Sequence, residues 1–161
     1  MSTHPTIIDA PDGTPFLDLA RDFDATPEQV FRAATEPKLV AQWLGPRDLE
    51  IDIEEYDARP GGRYRYTHHG GHIGEQRASF HGVFHTVEPN RLIIQTFEYE
   101  GVPDEVALEI HRFSAVDGRT RLAQRSVFPS LELREGFLAS GMRSGIEDSM
   151  DRLAELLARG V

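Results

Sequence analysis

The chain has 161 residues, 39% of them hydrophobic, and a formal net charge of −10 from 27 acidic and 17 basic side chains. That length suits one core, and the acidic balance repels phosphate backbones and anionic bilayers, so neither nucleic acid nor a membrane surface is an expected partner. The absence of cysteine excludes disulfides, thiolate metal sites and a cysteine nucleophile.

Residues 1–14 are polar with scattered Pro and Gly and read as a loose N-terminal arm, leaving 15–161 as a single domain. The arm lacks the basic-then-apolar order of a signal peptide, and no run of about 18 apolar residues follows, so a cytoplasmic protein is expected. From Phe16 to Phe23, Leu17, Leu19 and Phe23 alternate with Asp18, Ala20 and Asp22, which is strand periodicity. Thr26-Pro27-Glu28-Gln29 then predicts a helix start: Thr as N-cap, Pro at the first helical position, Gln three residues after the cap. Val30, Phe31 and Ala34 form its inward face. A second short helix begins at Pro37, carries Leu39, Val40 and Trp43, and stops at Gly45-Pro46.

Strand follows strand from Leu49 onward. Ile51 and Ile53 alternate with acids, and Pro60-Gly61-Gly62 marks a turn or bulge. Tyr64, Tyr66 and His68 then share one face, with Arg63, Arg65 and Thr67 on the other. Gly70-Gly71 is a loop. Further strands run from about Arg77 to Val87 and from Leu92 to Tyr99, and Val106, Leu108 and Ile110 alternate with Ala107, Glu109 and His111 in the next. Asp117-Gly118 signals a hairpin whose return strand is Arg119 to Val127. Strands joined this tightly must be antiparallel. The segment from Leu131 to Ala158 changes period: Leu138, Met142, Ile146, Met150, Leu153 and Leu157 form one stripe of an amphipathic helix, roughly 35–40 Å long at ~1.5 Å per residue. Gly141 and Gly145 lie beside that stripe, where a sheet or ligand can approach.

The expected class is therefore α+β: a curved antiparallel sheet of about six to seven strands around a long C-terminal helix, with two short helices after the first strand. A sheet curved enough to grip such a helix often leaves a gap, the natural place for a ligand. An internal cavity lined by Tyr64, Tyr66, Met142 and Ile146 is the corresponding expectation.

Four stretches carry a resemblance. Arg21-Asp22-Phe23-Asp24-Ala25 leads into Pro27 and Val30-Phe31, and Thr35-Glu36-Pro37 runs through Ala41-Gln42-Trp43-Leu44-Gly45-Pro46. Arg59-Pro60-Gly61-Gly62-Arg63-Tyr64 is the third. Phe80-His81-Gly82-Val83-Phe84, Pro89, Arg91-Leu92 and Gly145-Ile146 with Leu153 and Leu157 make the fourth. In this order, over roughly residues 16–158, they resemble the helix-grip or START-like fold, and within it the family named for the activator of heat-shock-protein-ninety ATPase. The resemblance implies a pocket protein without a shared catalytic set; related branches include polyketide cyclases and lipid carriers. Its final strand often ends in His in relatives, and here reads Leu122-Ala123-Gln124-Arg125-Ser126.

His68, His69, His72 and Glu75 lie within eight residues, but His68 and His69 point to opposite strand faces, so no metal site is expected. His81 and His85 share parity about 13 Å apart along a strand, too far to chelate one ion. Tyr64, Tyr66 and His68 are candidate pocket residues, and buried Tyr hydroxyls would need partners. Gln124 and Ser126 share the parity of Leu122 and suit orientation of a ligand. Trp43 is either a pocket lid or the anchor of the second helix. Arg21 has the parity of Leu17 and Phe23, so it either meets an anion inside or snorkels at the sheet end.

No Gly-x-Ser-x-Gly elbow or phosphate-cradling loop occurs, no cofactor is expected, and nothing names a reaction. Three functions stay open. One is a binding protein for a small hydrophobic or amphipathic molecule, with Trp43, Tyr64, Tyr66, His68, Gln124, Ser126, Met142 and Ile146 as ligand-binding candidates. Another is a cyclase- or hydrolase-like enzyme using His68, Tyr66 or Arg125 as acid and base. The third is a stress or chaperone accessory acting through its surface, with a homodimer or a chaperone as partner.

Overall fold

Short strands linked by tight turns can pair only with antiparallel neighbours, and the chain follows that rule throughout. The computed structural model describes residues 4–161. Its strands are β1 (Ile7–Asp9), β2 (Phe16–Phe23), β3 (Glu50–Tyr56), β4 (Arg63–His69), β5 (Arg77–Glu88), β6 (Leu92–Tyr99), β7 (Ala107–Val116) and β8 (Arg119–Val127). The helices are α1 (Pro27–Thr35), α2 (Pro37–Val40), α3 (Leu131–Ala139) and α4 (Met142–Ala158). All eight strands form one antiparallel sheet in the order β1-β2-β8-β7-β6-β5-β4-β3, so β1 and β3 are its edges. The class is α+β, and the sheet grips α4 in a helix-grip fold.

The strand count exceeds the expected six to seven because the supposed loose arm contains β1. Ile7 and Ile8 register against Ala20 and Leu19 of β2, and Ile8 packs on the core. A Pro- and Gly-bearing segment reads as loop, but three residues suffice to pair with an open sheet edge.

α1 begins as its sequence requires. Thr26 accepts from the Gln29 amide, the Gln29 side chain accepts from the Thr26 amide, and Pro27 occupies the first turn. At the hairpin, Asp117 and Gly118 both take positive φ, 49° and 78°, as a type I′ turn demands.

The long C-terminal helix expected from the stripe is broken. Gly141 adopts a left-handed conformation at φ 83°, ends α3 and caps α4. The stripe survives the break: Met150, Leu153 and Leu157 are buried, Ile146 is half-buried against the core, and Leu156 joins them at 0% exposure. In α3 the buried residue is instead Arg134, whose guanidinium donates to the Pro11 and Phe16 carbonyls.

α4 is held along its second half. Ser149 accepts from the Gly45 amide at 2.7 Å, and Arg152 donates to the Gln42 and Gly45 carbonyls. Arg47 pairs with Glu155. On the other flank, Asp151 meets Arg21 at 2.6 Å, so Arg21 is inside and does find an acid of the protein. Its side chain is 1% exposed, which rules out the snorkelled alternative. Gly145, read as a place of close approach, lies against the Pro46 ring.

Candidate functional site

The middle strands present their inward side chains in rows across the sheet. Registers place Gln95 opposite Glu109, Glu109 opposite Ser126, and Ser126 opposite Leu17. The next row is Ile93, His111, Gln124 and Leu19. Directly opposed side chains have their β-carbons about 4.5–5.5 Å apart, so Gln95, Glu109, His111, Gln124 and Ser126 form a polar patch.

Part of this patch is less sealed than its neighbours, although Gln95 and Ser126 are buried. The Glu109 and His111 side chains keep 14% and 17% of their surface, whereas Phe113 and Leu122, one row on, are 4% and 3% exposed. Gln124 is half-buried and Ser126 buried. The internal bonds of the patch are long: His111 Nε2 to Glu109 Oε1 3.4 Å, Ser126 Oγ to Glu109 Oε2 3.5 Å, Gln124 Nε2 to Ser126 Oγ 3.5 Å. Each sits at the weak limit of hydrogen-bond length. No Lys or Arg pairs with Glu109 among the described residues.

Aromatic rings stand beside the patch. Tyr66 stacks on Tyr64 and on Phe80, with centroids 6.1 and 5.3 Å apart, and Phe80 stacks on Phe97 at 5.3 Å. The Tyr64 hydroxyl donates to the Thr96 carbonyl at 2.6 Å. The Tyr66 hydroxyl, by contrast, has no hydrogen-bond partner among the described residues. Burial pushes both phenols well above their ordinary pKa, and the negative charge of Glu109 adds to the rise.

The remaining candidates scatter. His68 is buried against Tyr66 and Phe80, and burial pushes its imidazole below the usual value. Trp43 donates its indole N–H to the Ala33 carbonyl at 2.9 Å within the core, so it anchors the second helix to the first. Met142 is half-buried one turn before Ile146, at the start of α4. Arg125, an acid–base candidate of the enzyme reading, points outward: it forms a two-point ion pair with Asp18 and lies over the Phe16 ring. Its parity opposite Gln124 and Ser126 explains that placement.

The histidine cluster separates by strand parity. His69 turns outward to Glu50 and Asp52, and His72 binds Asp48. His81 meets Glu98 and Glu100, the latter held down to about 2 by its bond to the Arg65 guanidinium. Among the described residues no three His, Asp or Glu side chains gather as metal ligands, and no helix is long and apolar enough to cross a membrane. A groove of about 450 Å³ runs between Ile7, Asp18, Ala20, Ile110 and Arg125, and Gln124 of the polar patch also borders it.

Sequence reasoning brought Tyr64, Tyr66, Gln124 and Ser126 to one face but passed over Glu109, His111, Gln95 and Phe97. One signal was available. Phe113, in the second half of β7, shares the parity of Glu109 and His111, and a large aromatic marks the inner face better than Val106 and Leu108, which are 41% and 39% exposed.

Comparison with known proteins agrees with this architecture. A structure from Rhodobacter sphaeroides superposes with a TM-score of 0.85 at 27% identity, covering 96% of this chain and 99% of that one. Protein Ms6760 from Mycobacterium smegmatis gives 0.86 at 21%, over 95% and 97%. The AHSA1 protein from Silicibacter pomeroyi gives 0.74 at 22%, over 91% and 99%. No curated protein matches. The model of the Activator of Hsp90 ATPase homolog 1-like protein family matches residues 24–158, from the last residues before α1 to the end of α4, and to that family the chain belongs.

Proposed function

We propose that this protein binds one small amphipathic molecule between the inner face of the sheet and the first half of α4. The apolar body would lie on Tyr66, Phe80 and Phe97 beneath Ile146, and its polar end would meet Gln124, Ser126 and the Tyr66 hydroxyl. One observation carries the reading. Two inward side chains of β7, Glu109 and His111, keep accessible surface and only long hydrogen bonds, while Phe113 and Leu122 on the same face are sealed. Space bordered by aromatic rings and a few convergent polar groups is the usual form of a ligand site. Family membership fits a ligand-binding or chaperone-accessory role, and the patch favours the first.

Titration with Nile red, a neutral dye that brightens in apolar surroundings, tests this. Saturable binding of one dye per chain is expected, and Ile146→Trp, which fills the space from the helix side, should weaken it about tenfold or more. A circular dichroism melt checks that the variant still folds. Wild-type protein that leaves the dye dark, or a folded Trp variant that binds it equally well, would remove the reading.

A further inference from the structure

We infer that the molecule held in this site carries a protonated amine, and that Glu109 is the group that receives it. This rests on the binding reading above and assigns the chemistry of the ligand's polar end.

The argument begins with how the chain treats other charges it takes from water. A buried ion needs a counter-charge or full hydrogen bonding, because desolvation otherwise costs several kcal/mol. Arg21 has Asp151 at 2.6 Å and the Thr6 hydroxyl at 3.0 Å. Arg134 has two backbone carbonyls and Glu135. Glu109 stands in the same layer with 14% of its side chain exposed, yet its partners are one hydroxyl and one imidazole, both at the weak limit. The charges of Arg21 and Arg134 are met by the fold at short range. This one is left facing accessible space.

Its surroundings select the sign of the missing partner. Gln95, Gln124 and Ser126 are neutral, and His111 is the single titratable group beside it on β7. The rings of Tyr64, Tyr66, Phe80 and Phe97, stacked on one another, stand on the same side of the sheet and supply apolar surface but no cation. The negative charge of Glu109 also reaches Tyr56, Tyr64 and Tyr66, adding to the upward push on all three phenols. A carboxylate-headed ligand such as a fatty acid would meet like charge here. An ammonium would complete the ion pair, donate to Gln124 or Ser126, and rest its carbon chain on the rings.

Displacement of Nile red by three ten-carbon molecules, each kept below its self-association limit, reads this directly. Decylamine should displace the dye at about tenfold lower concentration than decan-1-ol, a difference of about 1.4 kcal/mol, because its ammonium can pair with the carboxylate; decanoate should be weakest. The amine preference should persist in about 1 M sodium chloride, where charges more than about 3 Å apart on the surface are screened. Glu109→Gln should bring amine and alcohol together, and Glu105→Gln, at an exposed acid, should leave dye, amine and alcohol binding as in wild type. Decanoate equal to or ahead of decylamine, a preference that vanishes in salt, or one that survives Glu109→Gln overturns the assignment. If Glu109→Gln does not fold, the order of the three head groups on wild-type protein decides. Failure of the dye itself to bind removes the site as well as the amine, whereas dye binding without head-group preference removes the amine alone.

Discussion

The imidazole of His68 meets the rings of Tyr66 and Phe80 edge-on, with centroids 5.3 and 5.8 Å away, and the backbone of Gly45 at close range. A β-carbon at Gly45 would come within 2.3 Å of that imidazole, and φ there is 101°, so glycine is required twice over. Burial disfavours the charged imidazole most, a backbone bond with Glu50 opposes it, and Arg152 and His69 add smaller pushes in the direction of burial. The folded pKa therefore lies below the unfolded value of about 6.5. Unfolded chains bind the proton first, so stability is full above pH about 6.5 and declines as pH falls from there toward the folded value. Denaturant midpoints at several pH values between about 7.5 and 5 should show this decline in wild-type protein and a flatter profile in His68→Phe. Parallel profiles would mean that His68 takes up its proton as readily inside the fold as outside it.

α4 divides into a held half and a lightly held half at the scale of the element. From Asp148 to Glu155 it is joined to the Gly45–Arg47 loop and to β2, and between Met142 and Ile146 the packing rests on side chains alone. Leu153 is fully buried in the held half, so Leu153→Ala should cost about 2–5 kcal/mol in a denaturant melt. Glu155 is exposed and paired with Arg47; Glu155→Ala should cost less than about 1 kcal/mol, the usual range of a surface ion pair. Equal losses would show that the stripe does not face the core. That stripe, the α1 cap, the Asp117-Gly118 turn and the shared face of Tyr64, Tyr66 and His68 were legible because each is set by spacing or by a local hydrogen bond. The break at Gly141 was not, since the apolar spacing runs through it unchanged and a glycine costs a helix only about 1 kcal/mol. Glu109 was hidden for a different reason. On β7 both faces carry apolar residues, Leu108 and Ile110 outside against Ala107 and Phe113 inside, and alternation alone does not say which set is buried.

As a whole molecule the sheet never closes on itself, and its two open edges are β1 and β3. β1 is only three residues long. β3 is longer and carries Glu50, Asp52, Glu54 and Glu55 around Ile51 and Ile53, with Asp52 drawn toward Arg77 of β5 and Glu54 toward Arg65 of β4. An unpaired strand is a template on which a second chain can crystallise into fibre, and acidic side chains are a means of refusing it. The four acids of β3 thus read as a guard against self-assembly, independent of anything bound inside. Asp52→Val with Glu54→Val should give thioflavin-positive aggregates on shaking, where wild type stays clear. Asp52→Asn with Glu54→Gln has the same net charge as the Val pair but keeps polar side chains, and should lie between the two. If the Val pair stays as clear as wild type, something other than these acids keeps copies of the molecule apart. If it does not, the chain's tolerance for crowding is written in one seven-residue border, and a lineage could lose it by two substitutions that leave the fold untouched.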